Sequence, residues 1–303
     1  VFDAPFLSHL HHNLEKISEN QGISKPGLYL IGTPIGNLAD MSLRGLAALL
    51  SMDVIFCEDT RVTQTLLKAY GISKPLKPYH KHNAASTKQV MVDAILAGQA
   101  VGLVSDAGLP LVSDPGADVV ALCIENNLSI TVIPGASAGV TALMASGLST
   151  EQFHFAGFLP SQEKERNAVL ASLKGSPASL IFYEAPHRLL KTLAILQESF
   201  GERQAAVGRE LTKKFEEMQR GTFATLINYY KNNGTIKGEI VIVVAGQTVE
   251  IWDQSRTTPL LALALESLRV KDAAQLVSLM TGMSRKDLYE KALEITHGKN
   301  ERE

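Results

Sequence analysis

Three short stretches combine glycine, proline and polar side chains at the ends of apolar runs, a setting in which backbone can close around a ligand. The first, IGTPIGN (31–37), follows a run of buried-strand character, and its glycines allow close approach to a bound molecule. A short Gly/Pro loop of this kind also serves as an ordinary turn. The second, SDAGLPLVSDPG (105–116), packs Asp106, Asp114, two glycines and two prolines into one connection. Proline fixes φ and glycine permits tight turns, so this loop is shaped before any ligand arrives. Its aspartates have a structural use too: Asp114 is expected to cap the helix that begins near Pro115. The third, PGASAGVTA (134–142), sets small residues at a strand-to-helix turn, with Ser137 as the helix cap. Close packing of helix on sheet accounts for its small residues equally well.

The apolar pattern supplies a frame for these loops. LYLIG (28–32), DVIFC (53–57), AVGLVSD (100–106) and LSITVIPG (128–135) read as strands. Helical segments over 43–50, 62–70, 87–97 and 117–125 separate them, with Gly71 and Gly98 as stops. Such alternation indicates βα units and a largely parallel sheet, whose ligands sit at the carboxyl ends of the strands. A small-residue helix near 138–147 leads to a second block. It has apolar runs at 153–160, 178–186, 204–211 and 239–246 and helices over 164–173 and 187–200, and reads as a second α/β domain with its own sheet. Beyond Val249 come three short amphipathic helices over 260–268, 271–281 and 285–295. Gly282 ends one and Ser284 caps the next in a helix–turn–helix, with Leu276, Leu279, Leu288 and Leu293 as core. The expected division is a flexible N-terminal arm over 1–25, α/β domains over 26–138 and 139–248, and a helical domain over 249–303.

Composition narrows the function classes. Of 303 residues, 45% are hydrophobic and 20% charged, enough apolar material for about two cores. No apolar stretch reaches the ~18–20 residues of a membrane-spanning helix. The first residues lack an apolar run bounded by a cleavage site, so no secretory signal is expected, and Val1 in place of Met reads as trimming of a short piece. Two cysteines, Cys57 and Cys123, lie in apolar runs, which excludes a disulfide framework and favours a cytoplasmic protein. The formal net charge of −2 argues against RNA binding by bulk charge and requires a local patch or a larger particle for that purpose. A nicotinamide dehydrogenase is disfavoured, because no G-x-G-x-x-G opens a helix.

Taken in order, GTPIGN, CEDTR (57–61), YHKHN (79–83), SDAGLPLVSDPG, PGASA, FYEAPHR (182–188), GRELTK (208–213) and GEIVIVV (238–244) resemble the tetrapyrrole-methylase superfamily. Within it they look like the 16S rRNA cytidine 2′-O-methyltransferases. The resemblance covers about residues 26–246, and the helical tail is similar to the small C-terminal domain of the same enzymes. It implies an α/β fold of two domains with S-adenosylmethionine in the cleft between them, no metal, a homodimer, and 16S rRNA or the small ribosomal subunit as partner. Carried over by motif, the cofactor would meet Ala107, Gly108, Leu109, Val112, Ser137, Ala138, Tyr183 and Glu184, with Gly221 as a looser match. Tetrapyrrole-modifying relatives end the first loop on Asp in a G-x-G-P-G-D pattern, whereas this chain has Asn37. That departure favours the RNA substrate, and Thr33, Pro34 and Asn37 are expected to meet it.

For methyl transfer to a ribose hydroxyl, the enzyme aligns nucleophile, methyl carbon and leaving sulfur, and a general base takes the hydroxyl proton. The motif strings leave Glu58, Asp59, Asp106, Glu184 and Glu210 as candidate bases, with His80, His82, His187 and Lys213 behind them. Arg61, Arg188 and Arg209 suit bidentate phosphate recognition. Glu184 with Arg188 reads equally well as an internal ion pair, and Asp59 or Thr60 as the cap of the next helix. His80 and His82 lack further ligands at metal spacing and are expected to touch RNA instead. Two other readings stay open: a methyltransferase of this fold acting on a tetrapyrrole or other small molecule, and a binding module that has lost transfer.

Overall fold

The computed structural model describes residues 3–247 and 254–300. The chain divides into two compact units, the first ending at Gln247.

The first unit opens on helix α1 (Ala4–Gln21), where a flexible arm was expected. Asp3 caps it by accepting from the Phe6 N–H at 2.9 Å, and Gly22 ends it in a left-handed conformation. Leu14 is fully buried, with Leu10 and Ile17 packed beside it, and His11 Nε2 lies 2.7 Å from the Tyr70 carbonyl. An apolar stripe at helical spacing therefore holds this segment on the fold.

Strands β1 (Gly27–Ile31), β2 (Val54–Cys57), β3 (Leu76–Pro78), β4 (Ala100–Val104) and β5 (Ile130–Ile133) form a parallel sheet in the order β3-β2-β4-β1-β5. Helices α2 (Leu43–Ser51), α3 (Thr60–Ala69), α4 (Ala84–Leu96) and α5 (Ala117–Glu125) connect them. β1, β2 and β4 are buried along their whole length, as central parallel strands with both faces covered should be. β1 is the first strand of the chain yet lies between β4 and β5. The loops after β1, β4 and β5 thus emerge side by side at the carboxyl edge, where the strand order reverses.

Helix α6 (Ala138–Ser146) leads to a second sheet, ordered β6-β7-β10-β8-β9. Its strands are β6 (Phe153–Phe158), β7 (Ser179–Glu184), β8 (Gln204–Arg209), β9 (Glu217–Thr222) and β10 (Ile240–Val244). Only β6 and β7 pair in parallel; the other pairings are antiparallel. α7 (Glu163–Leu173), α8 (Leu189–Phe200) and α9 (Phe223–Asn232) complete this half. The halves share an apolar cluster in which Ile35, from the loop after β1, packs with Leu211 and Val241 of the second half.

The second unit contains α10 (Gln254–Ala264), α11 (Val270–Thr281) and α12 (Arg285–Asn300). Gly282 has φ 71° and donates its N–H to the Ser278 carbonyl, and the Ser284 hydroxyl accepts from the Asp287 N–H at 3.5 Å. The core consists of Leu261, Ala273, Ala274, Val277, Leu288 and Ala292. Of the four expected core residues only Leu288 is in it: Leu276 and Leu279 are exposed, because α11 turns its alanine and valine stripe inward instead. Leu293 is half-buried. The expected boundary at 248–249 lies outside the described residues. Among those described, no helix is long and apolar enough to cross a membrane.

Candidate active site

The three glycine-bearing loops are stitched together at the carboxyl edge of the first sheet. The Thr33 N–H donates to the Gly108 carbonyl at 2.8 Å, and its buried hydroxyl reaches the Ser105 and Gly108 carbonyls at 3.3 and 3.2 Å. The first and third loops touch at Gly32 and Gly135, where a β-carbon on Gly32 would stand 2.7 Å from the Gly135 Cα. Within the second loop, Leu111 and Ser113 hold φ of 73° and 72°. Left-handed backbone costs a non-glycine residue roughly 1–3 kcal/mol and clusters where a chain is shaped for a ligand.

Against these loops the start of β10 and the ends of β6 and β7 enclose a cavity of about 390 Å³. A second cavity of about 340 Å³ adjoins it, walled by Thr33, Pro34, Leu66 and Lys213. Ile35, Asp106, Ala107 and Glu239 line both and form the junction.

The first cavity is acidic on one side and apolar on the other. Glu58, Asp106, Asp114 and Glu239 line it along with Leu109, Val112, Phe158 and Val241, and no lysine, arginine or histidine does so among the described residues. Asp114 does not cap a helix: α5 begins at Ala117 behind Gly116, without a side-chain cap. Burial, then the like charges of Glu58 and Asp106, push its pKa up to about 6. Tyr183 stacks edge-on against Phe155 and Phe158, and its hydroxyl accepts from the Gly139 N–H at 3.3 Å.

The expected residues separate into three groups. Ala107, Gly108, Leu109, Val112, Ser137, Ala138, Tyr183 and Glu184 line the first cavity, as do Glu58 and Asp106. Thr33 and Pro34 line the second, and Asn37 borders an opening beside it, where its side chain caps a 3-10 turn by accepting from the Ala39 N–H. The rest lie elsewhere. Gly221 sits on β9 opposite Ala205, at the end of the second sheet away from the cavity, so its looser motif match fails. Arg209 is paired across the strands with Glu217 at 2.8 Å. Arg188 is 3.2 Å from Glu184 and donates to the Leu159 carbonyl. Both guanidinium groups order strand ends through these pairs, and neither lines the two cavities. Arg61 is exposed but paired with Asp59, which accepts from the Arg61 N–H as the cap of α3. The Arg61 guanidinium and N–H hold the Asp59 carboxyl down to about 2. His80 and His82 lie edge-to-face in the loop before α4, and neither lines either of these two cavities.

The same geometry sorts the carboxylates. Glu184 is fully buried and accepts from the Thr192 hydroxyl at 2.5 Å and the Ala185 N–H at 2.7 Å, in addition to its arginine. A hydroxyl, a backbone N–H and a guanidinium thus hold this carboxylate in place, as befits a group that orders the end of β7. Glu210 is held by Lys213 at 2.8 Å and by the Glu239 N–H at 3.0 Å, and the lysine lowers its pKa. Asp106 accepts from the Asp59 N–H at 2.9 Å, has no cation on it, and faces both cavities. Sequence reasoning missed Glu239, Leu211 and Phe158. Phe158 stands in an ordinary apolar run, whereas Leu211 and Glu239 lie inside the GRELTK and GEIVIVV strings without being singled out there.

The fold and cleft define an α/β ligand-binding architecture in which two sheets share one acidic, half-apolar pocket. The family model for tetrapyrrole (corrin/porphyrin) methylases matches residues 27–227, and one for an RsmI C-terminal HTH domain matches 254–296. The chain belongs to the tetrapyrrole methylase family. Its relatives include a protein from Mesorhizobium japonicum named ribosomal RNA small subunit methyltransferase I, 44% identical over 89% of this chain and 92% of that one. A protein of the same name from Halalkalibacterium halodurans is 40% identical over 90% and 96%. Among solved structures, diphthine synthase matches with a TM-score of 0.56 at 15% identity over 72% of this chain and 89% of that one. Uroporphyrin-III-C-methyltransferase from Thermus thermophilus gives 0.52 at 19% over 72% and 94%. These last two are similar in fold.

Proposed function

We propose that the chain is an S-adenosylmethionine-dependent methyltransferase that modifies the ribose 2′-hydroxyl of a cytidine in the decoding region of 16S rRNA, on the assembled small subunit. The names of its relatives support the rRNA substrate. A homodimer is what the superfamily resemblance implies, and a cytoplasmic location suits the two free, buried cysteines. The observation that carries the reading is the junction of two cavities at Asp106.

The first cavity fits the cofactor by chemistry. Carboxylates with no cation among them favour a ligand that bears positive charge, and the Leu109, Val112 and Phe158 side suits a flat apolar group. When bound, the cofactor supplies an activated methyl group on a sulfonium sulfur. The chain's own task is then orientation and removal of one proton. We assign the proton to Asp106: Glu58, Asp114 and Glu184 face the first cavity alone, Glu210 lines neither, and Glu239, which shares the junction, is paired with Lys213. The Asp59 N–H fixes one Asp106 oxygen and leaves the other for the substrate hydroxyl.

The test is transfer of labelled methyl to small subunits purified from a strain lacking this protein. Alkali-resistant label at one cytidine ribose supports the reading, because a methylated 2′-oxygen cannot attack its neighbouring phosphate. Label on a base overturns the nucleophile, and transfer to a tetrapyrrole instead overturns the substrate. Asp106→Asn should lower kcat by about 10²–10⁴-fold while cofactor still binds.

A further inference from the structure

The turn between β8 and β9 delivers alternate residues to the two cavities. Leu211 lines the first and Lys213 the second, and both flank Thr212, whose φ is 67°. Glu210, one step earlier, has φ 51°. Two non-glycine residues in the left-handed region within three positions are held there by a dense set of contacts. The Glu210 N–H donates to the Glu239 carbonyl at 2.9 Å, the Lys213 N–H to the Glu210 carbonyl at 3.0 Å, and the Thr212 N–H to Glu216 at 2.6 Å. Strain of this kind persists where the surrounding structure fixes it and points to a positioned side chain.

That side chain is Lys213. Its ammonium is 2.8 Å from Glu210 and 3.2 Å from Glu239, and its stem lies along Gly36 of the first loop. Burial opposes its charge, but the two carboxylates outweigh burial and raise its pKa above the ordinary lysine value. It is a fixed cation and no general base. Three donors belong to an ammonium, and two are directed to carboxylates, which leaves one for a ligand. With Asp106 and Glu239 in the same cavity wall, the local charge around that donor is negative. A phosphate would meet net repulsion there, whereas a neutral oxygen would not.

Resting on the function proposed above, we infer that Lys213 is a substrate-binding residue whose single free donor grips a neutral oxygen of the target nucleoside, a sugar hydroxyl or base carbonyl, in the second cavity. Glu210 and Glu239 are the positioning residues that aim it. The nucleotide's phosphates stay outside this cavity.

Full-length Lys213→Met keeps the methylenes that pack on Gly36 and removes the donor. Its affinity for S-adenosylmethionine, measured by calorimetry, should stay within about twofold of wild type, since Lys213 does not line the first cavity. kcat/KM for small subunits should fall about ten- to a hundredfold, the usual effect of losing a hydrogen bond to a charged group, and Lys213→Arg should restore part of it. The salt dependence of subunit binding should not change. Wild-type kcat/KM in Lys213→Met, or a parallel loss of cofactor affinity, overturns the inference. A salt slope lower by about one unit also overturns it, in favour of a phosphate contact. If wild-type protein transfers no methyl to subunits yet binds cofactor, the proposed function fails first, and the inferred nucleoside with it.

Discussion

Asp114 is the carboxylate whose surroundings most oppose its charge. Its pKa of about 6 stands above the ~3.9 of an unfolded chain, so the folded state binds the extra proton between those values. The contribution to stability is complete below about pH 4 and is lost as pH rises through about 6. Asp114→Asn should therefore raise Tm over wild type near pH 7.5, with the difference shrinking toward zero near pH 4; equal melting at both pH values would contradict the assigned burial and like-charge repulsion. A cationic ligand in the first cavity reverses the preference, so its affinity should rise with pH through about 6 and its binding should release a proton. Calorimetry in buffers of different ionisation enthalpy reads that release directly. Gly36 is the second sensitive position. Its φ is 151°, and an added β-carbon would stand 2.5 Å from the Lys213 Cγ, near the root of a clamped side chain. Gly36→Ala should cost roughly 1–3 kcal/mol in urea unfolding. It should also depress transfer to subunits as Lys213→Met does, while leaving the cofactor bound. Intact transfer in Gly36→Ala would show that the lysine can move without loss.

At the scale of elements, legibility followed punctuation. The strands and loops of the first sheet were readable because short apolar runs end at Gly/Pro clusters, and the same clusters carry the cavity-lining residues from Ala107 to Val112. The β9–α9 region was not readable. β9 (EMQRGT) is a half-buried edge strand without apolar alternation, and it exists because each residue pairs in register with β8. Arg209 looked available for phosphate because its partner Glu217 is eight residues away along the chain and directly opposite it across the strands. Helix α1 is different, since its signal was present: Leu10, Leu14 and Ile17 recur at helical spacing among His, Asn and Glu. The polar composition obscured an apolar stripe that packs on α2. Leu14 is wholly buried there, so Leu14→Ala should destabilise the first unit by about 2–5 kcal/mol. A loss below about 1 kcal/mol in denaturant unfolding would mean that α1 is only loosely attached.

At the scale of the whole molecule, charge and core placement divide the work. The formal net charge is −2, and two of the arginines that looked suited to phosphate are engaged in internal pairs. Binding to an RNA-containing particle thus has little bulk electrostatics behind it, and log K against log salt should have a slope smaller in magnitude than about 4. The apolar clusters of the first unit fall within residues 14–244, and that of the second within 261–292, so neither core borrows buried residues from the other. Among the described residues, those that line the two cavities run from Thr33 to Val241. A chain ending at residue 247 should consequently fold and bind S-adenosylmethionine within about twofold of the full-length affinity, because each core keeps its own apolar burial. Calorimetry and thermal melting of that chain check both points. Its kcat/KM for small subunits then isolates what the helical unit adds: a fall with cofactor affinity preserved assigns the helices to docking, and an unchanged value assigns docking to the first unit alone. Loss of cofactor binding on truncation would show instead that the first unit depends on the second for its folded state.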